Sequence, residues 1–298
     1  MKAELLIDAR NTLGESVNWH AAEGVLYWTD VKGARLWRFD PRTGARESWD
    51  MPDKLATFAL CSTPGVVLVG LAESLAFFEL ASSRLTPLHS IELGLTTRVN
   101  DGRCDRRGCF VFGTQDDSDD PRPMAAFYRL NVDLSLERLP LLRPAISNSI
   151  SFSPDGRTMY YCDSPNRVIR CCDYSAAGAI SNDRVFVRLT DADGVPDGST
   201  VDAEGGLWNA QFGGARVLRY APDGLESQRI DVPTRQPTCV SLGGAALDTL
   251  FITSSREGMS SAALRNDPTA GGVYATQVSV RGLPEACFAG VPPAALHE

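Results

Sequence analysis

Short runs of β-forming residues, broken every few positions by Gly, Pro, Asp or Asn, recur along almost the whole chain in units of about 40 to 50 residues. That repetition constrains the fold more than any other feature. One unit runs from Glu15 through Gly24-Val-Leu-Tyr-Trp-Thr and Ala34-Arg-Leu-Trp-Arg-Phe to Arg46-Glu-Ser-Trp, which makes four strands with turn residues between them. Five further units follow the same order, their first strands beginning near Phe58, Asn100, Asn148, Asp197 and Thr238. Helical periodicity is nearly absent. Four-stranded units at this period predict an all-β fold, a six-bladed β-propeller whose antiparallel blades pack side by side around a central channel. The sixth unit is short of a fourth strand, and Glu4-Leu-Leu-Ile-Asp precedes the first unit unassigned. The N-terminal strand is therefore expected to close the last blade and remove an open edge. Residues 1–298 are read as a single propeller domain with no linker.

Composition narrows the function. A net charge of −8 and a pI near 5.0 argue against a phosphate backbone or an anionic membrane as partner, since both need clustered Lys and Arg. The N-terminus, Met-Lys-Ala-Glu-Leu-Leu-Ile-Asp, has too short an apolar core for a signal peptide or a membrane span, so a cytoplasmic location is expected. The 8 cysteines include no C-x-x-C pair and are read as reduced, mostly buried thiols; adjacent Cys171 and Cys172 should face opposite sides of one strand. Only His20, His89 and His297 are present, none spaced to share a metal, so any ion must be held mainly by oxygens. A monomer or weak oligomer is expected.

Propeller geometry gives meaning to a polar register. Asn100, Asn148 and Asp197 lie 48 and 49 residues apart, and with Glu15 they occupy four of the six blade starts. Side chains there converge at one mouth of the channel, where two carboxylates and two amide carbonyls suit a hard divalent cation. Asn and Asp also favour turns before strands, which is the structural alternative for each residue alone. Asp101, next to Asn100, is expected to point away and serve only the turn. Trp208, Phe212, Gly213 and Gly214 are candidates to line the mouth, although an aromatic on a blade strand more often packs between blades. Asp191-Ala-Asp-Gly-Val-Pro-Asp-Gly is similar to a calcium loop but lacks flanking helices and is read as a connection.

An ordered set of motifs carries a family resemblance over essentially the whole chain. Gly14-Glu15-Ser16, Arg98-Val-Asn100-Asp101-Gly102, Asn148-Ser-Ile-Ser-Phe-Ser-Pro-Asp-Gly156, Pro196-Asp197-Gly198 and Asp202-Ala-Glu-Gly-Gly-Leu-Trp208 resemble the senescence marker protein-30, gluconolactonase and regucalcin family. The resemblance implies one divalent metal ion (Ca²⁺, Zn²⁺, Mn²⁺ or Mg²⁺) held by Glu15, Asn148 and Asp197. It implies that Arg98 and Asn100 bind a sugar lactone at the same mouth, and that the reaction is lactone hydrolysis. A cation would stabilise the negative charge that develops on the lactone carbonyl, and Asp197 is the candidate to take a proton from the attacking water. A calcium-binding protein of the regucalcin kind and a hydrolase of another ester are the alternatives. The chain departs from the family pattern after Gly113-Thr114, where Gln115-Asp-Asp-Ser-Asp-Asp-Pro replaces the expected Met and substrate-contacting acid. One of Asp116, Asp117, Asp119 and Asp120 could take over that contact.

Overall fold

The computed structural model describes residues 1–190 and 194–293. Among them the β-forming runs make twenty-four strands, grouped into six four-stranded antiparallel sheets. After β1 (Glu4–Ile7), the first blade is β2 (Gly14–His20), β3 (Val25–Asp30), β4 (Arg35–Asp40) and β5 (Ala45–Asp50). The second is β6 (Leu55–Leu60), β7 (Val66–Leu71), β8 (Ser74–Glu79) and β9 (Arg84–Ser90); the third is β10 (Thr97–Cys104), β11 (Phe110–Asp116), β12 (Phe127–Leu130) and β13 (Leu136–Arg138). The fourth is β14 (Ser147–Phe152), β15 (Thr158–Asp163), β16 (Val168–Tyr174) and β17 (Ile180–Arg188); the fifth is β18 (Val195–Val201), β19 (Leu207–Phe212), β20 (Arg216–Tyr220) and β21 (Glu226–Asp231). β22 (Pro237–Gly243), β23 (Thr249–Ser254) and β24 (Val273–Gln277) form the sixth, and β1 pairs with β24 to complete it, as expected.

Burial follows position in the ring. Every residue of β6, β14 and β22 is buried, whereas the outermost strands β5 and β21 are mostly exposed. Aromatic side chains fill the seams: Trp19 stacks on Phe251 at 5.5 Å where the first blade meets the sixth. Trp208 is fully buried against the sixth blade, so it packs between blades and does not line the mouth. Hydrogen bonds tie the inner strands to one another. Ser16 Oγ donates to Ala56 O, Thr57 Oγ1 to Gly102 O, Asn100 Nδ2 to Ser147 O and Ser149 Oγ to Asp197 O, and Thr238 Oγ1 of the sixth blade donates back to Gly14 O of the first.

All eight cysteines are free, seven of them buried, and Cys171 and Cys172 enter different cores on opposite faces of β16. One short helix, α1 (Ser261–Asn266), sits between β23 and β24, its first turn capped by Ser260 Oγ accepting from Ala263 N. The repeat gives no sign of a C-terminal strap across the opposite end of the ring. Ala203 N donates to Arg281 O, Phe288 N to Leu60 O and Ala289 N to Gly108 O, while Glu285 pairs with Arg103 inside the channel. The first three residues of the calcium-like loop, Asp191 to Asp193, and His297 lie outside the described residues; from Gly194 on that segment simply enters β18.

Candidate active site at the channel mouth

Each inner strand carries a β-bulge where it enters the channel. The pairing slips between Glu15 and Asn18, Leu55 and Thr57, Val99 and Gly102, Asn148 and Ser151, Pro196 and Ser199, and Pro237 and Val240. One extra residue per strand breaks the strict alternation of side chains and re-aims them. Ser16 and Ser149, both within these bulges, take positive φ of 50° and 62°. In the fifth blade the bulge is Asp197-Gly198, and a Cβ on Gly198 would stand 2.6 Å from Cys239 Sγ on the next inner strand. Only glycine allows the two strands that close approach.

The bulges explain where the expected residues lie. Glu15 and Asn148 immediately precede theirs, whereas Asn100 and Asp197 are the first residues within theirs. The even spacing in sequence therefore hides an offset of one position, yet the residues meet. Asn100 Nδ2 reaches Asn148 Oδ1 at 3.4 Å, and Glu15 and Asp197 are close enough for each to feel the other's charge. Asn148 Nδ2 donates to Ser164 Oγ at 3.0 Å, which leaves its carbonyl oxygen on the channel side. Ser164 is itself held by Pro196 O at 2.7 Å, so the orientation of Asn148 depends on the strand that carries Asp197.

Asp101 corrects the expectation that it points away. It lies in the β10 bulge, where alternation fails, and its Oδ2 accepts from Ile150 N at 2.8 Å. Its charge reaches both Glu15 and Asp197. Three carboxylates thus share the axis. Burial pushes Glu15 well above the usual carboxylate range, and the charges of Asp197 and Asp101 push it further. Asp197 is raised in the same way, by burial first and Asp101 second. Burial also raises Asp101, against the pull of the Ile150 amide and the Arg103 guanidinium.

Arg98 is buried, and its donors are divided. Nε bonds Asp117 Oδ1 at 2.9 Å, while Nη1 bonds Val99 O at 2.8 Å and Asn100 Oδ1 at 2.9 Å. Its Nη2 has no partner among the described residues, which leaves two N–H donors of the planar fork for a ligand. The structure also sorts the acids of the 115–121 segment. Asp116 is buried and accepts from Thr96 Oγ1, Ser118 N and Arg122 N, holding the loop from one position beyond the register at which Asp30 and Asp163 accept backbone amides in the first and fourth blades. Asp117 is the acid on the site side, bonded by both Arg98 and Lys54. Burial tends to raise its carboxyl, and those two cations outweigh burial and hold it below the ordinary value.

Asn209 was not singled out by sequence, yet it anchors the site. Its Nδ2 donates to Asp197 O at 2.8 Å, Ser149 Oγ at 3.0 Å and Ser199 Oγ at 2.9 Å, fixing the fifth-blade bulge. The available signal was a polar residue inside a wholly apolar run, Leu207-Trp-Asn-Ala. His20 and His89 are bound elsewhere, to Glu23 N and Leu134 O. Among the described residues no three His, Cys, Asp or Glu side chains are placed to hold a metal together, so an ion at the mouth would depend on the Asn148 carbonyl as well as on carboxylates. The donor set fits such an ion: neither Glu15 nor Asp197 pairs with a Lys or Arg among the described residues, and both are acceptors only when ionised. A cavity of about 560 Å³ lies between the fourth and fifth blades and contains none of these residues.

The chain is similar to known proteins over most of its length. Residues 13–256 match the model of the SMP-30/Gluconolactonase/LRE-like region. The chain is 53% identical to the L-arabinolactonase of Azospirillum brasilense, over 98% of its own length and 97% of the relative's. It is 37% identical to the 6-deoxy-6-sulfogluconolactonase of Pseudomonas putida, over 94% and 96%. The structure of regucalcin from Agrobacterium tumefaciens, a calcium-binding protein, superposes with a TM-score of 0.91 at 28% identity, covering 97% of each chain. The match over most of the chain, together with full-length relatives that include lactonases, shows that the chain belongs to the SMP-30/gluconolactonase/LRE-like family.

Proposed function

We propose that the protein hydrolyses a sugar lactone to the aldonic acid, with one divalent cation held by Glu15, Asn148 and Asp197. The observation that carries this reading is the pair of carboxylates, half-buried Glu15 and buried Asp197, meeting at the mouth with no Lys or Arg ion-paired to either among the described residues and only the more distant charge of Arg98 reaching Glu15. A bound cation supplies Lewis acidity toward the lactone carbonyl and offsets the cost of keeping both carboxylates charged. Ca²⁺, Zn²⁺, Mn²⁺ and Mg²⁺ are all candidates for an oxygen-rich set of this kind.

The chain's own residues supply the rest. Arg98 offers Nη2 to a ring or hydroxyl oxygen of the substrate, while Asn100, locked by Arg98 Nη1 and Ser147 O, presents its amide beside Asn148. Asp197 is the group that accepts a proton from the attacking water at its carboxylate. Burial and Asp101 raise its proton affinity above that of an ordinary carboxylate, and a cation bound beside it would lower that affinity again. With all eight thiols free, we place the reaction in a reducing compartment, the cytoplasm. Among the described residues no helix is long and apolar enough to cross a membrane.

Acid release from a panel of five- and six-membered aldonolactones, followed with a pH indicator before and after chelation, tests the reading. Turnover that chelation removes and a divalent cation restores is the expected result. Turnover indifferent to chelation rejects the cation's role, and turnover only of another ester class rejects the lactone. The likeness to calcium-binding regucalcin favours one second reading, in which the cation itself is the ligand. Cation binding with no hydrolysis of any lactone would select it.

A further inference from the structure

Beside the mouth, between the entries to the second and third blades, lies a cavity of about 360 Å³ that is polar and open to solvent. Arg98 forms its wall toward the channel, and Lys54, Glu73, Thr96, Thr97 and Asp117 line the rest. Lys54 reaches it from the segment that enters β6, where Asp53 Oδ1 accepts from Lys54 N at 2.7 Å and fixes the approach. Its ammonium bonds Asp117 Oδ2, and Arg98 bonds the other oxygen of the same carboxylate.

We propose that Lys54 is a specificity-determining residue, and that with Asp117 it forms a subsite for the hydroxyl-bearing end of an uncharged lactone whose carbonyl lies at the channel mouth. The inference rests on the lactone reading above. Three features point to a ligand here. Lys54 and Asp117 are 37% and 32% exposed, and an ion pair that open to water contributes little to folding. The Thr97 hydroxyl is buried and has no hydrogen-bond partner among the described residues. Arg98 Nη2 is likewise uncommitted, so the lining offers free donors beside a carboxylate, the mix that hydroxyl groups bond.

Charge balance selects the substrate class. Asp53, Glu73 and Asp117 line the cavity together with Lys54 and Arg98, so the acids outnumber the bases. A lactone with a terminal carboxylate or sulfonate meets net repulsion, whereas hydroxyl groups bond both partners of the Lys54–Asp117 pair. The ammonium uses one of its three donors on Asp117 and keeps the others for the ligand.

Steady-state kinetics of the full chain with Lys54→Met and Lys54→Arg test the proposal. Lys54→Met should raise KM for a hydroxylated neutral lactone about tenfold, the effect of losing one charged hydrogen-bond donor, with kcat within about twofold. Lys54→Arg should recover most of the loss, and a lactone lacking the exocyclic hydroxyl should show equal KM with all three proteins. An unchanged KM, or an equal rise for the deoxy lactone, would overturn the subsite while leaving wild-type turnover intact. An equal or lower wild-type KM for the lactone bearing a terminal carboxylate would overturn the charge assignment. No turnover of any lactone by the wild type would overturn the lactone reading and this proposal together.

Discussion

Asp197 combines three properties that rarely meet in one side chain. It is buried, its carboxylate has no cationic partner among the described residues, and its own backbone carbonyl is tied down by Asn209 and Ser149. Asp197→Asn keeps the volume and the bulge but removes the proton acceptor. Turnover should fall by about 100-fold or more with far-ultraviolet circular dichroism unchanged, and a variant within about threefold of wild type would remove Asp197 from the chemistry. At this scale the sequence was legible where a residue's position follows from its place in the repeat: Glu15, Asn100, Asn148 and Asp197 do converge. It was misleading for Asp101, because strict alternation was assumed across a position where the chain carries one residue more than its partner strand. Arg98 could be named, but the division of its donors among Val99, Asn100 and Asp117 depends on three-dimensional neighbours that no spacing shows.

The bulged inner strand is the element on which the site depends. Six copies of it bring residues about fifty positions apart in sequence to the same end of one channel. The fifth-blade copy tolerates no side chain at Gly198, where a Cβ would lie within 3 Å of both Cys239 Sγ and Cys239 Cβ. Gly198→Ala should therefore destabilise the fold by about 1–3 kcal/mol, measurable as a lower denaturation midpoint at unchanged slope, and should reduce turnover more than that loss alone. An unaltered midpoint would show that the two inner strands separate freely. Strands were readable because turn residues and apolar runs alternate so regularly, and the closure by β1 followed from counting one strand too few at the end of the chain. The strap over the far end was not readable. Residues 278–293 have no period, and their anchoring uses backbone groups, such as Phe288 N on Leu60 O, that any residue type supplies.

Across the whole molecule, the ring concentrates acid groups on its axis, and this links stability to pH and to cations. Glu15 and Asp197 hold their protons more tightly folded than unfolded, so the folded state binds more protons between the unfolded and folded pKa values. Their contribution is then fully present below the ordinary carboxylate range and is lost as pH rises through the raised values. In chelator, Glu15→Gln should consequently melt higher than wild type at about pH 8 and at about the same temperature at about pH 4. A divalent cation should raise the wild-type melting temperature at the higher pH and leave Glu15→Gln nearly unmoved. Equal melting of the two proteins at both pH values would mean that the carboxylates are not in conflict.

The most direct measurement of the central claim is a titration of chelator-treated protein with Mn²⁺ while acid release from a neutral aldonolactone is recorded. Turnover should be near zero at the start, rise with added cation, and saturate at one equivalent per chain for the wild type. Glu15→Gln should need far more cation, and Asp197→Asn should stay inactive throughout. Full turnover before any cation is added, or a Glu15→Gln curve that overlies the wild type, would contradict a cation held by Glu15, Asn148 and Asp197 at the mouth of the ring.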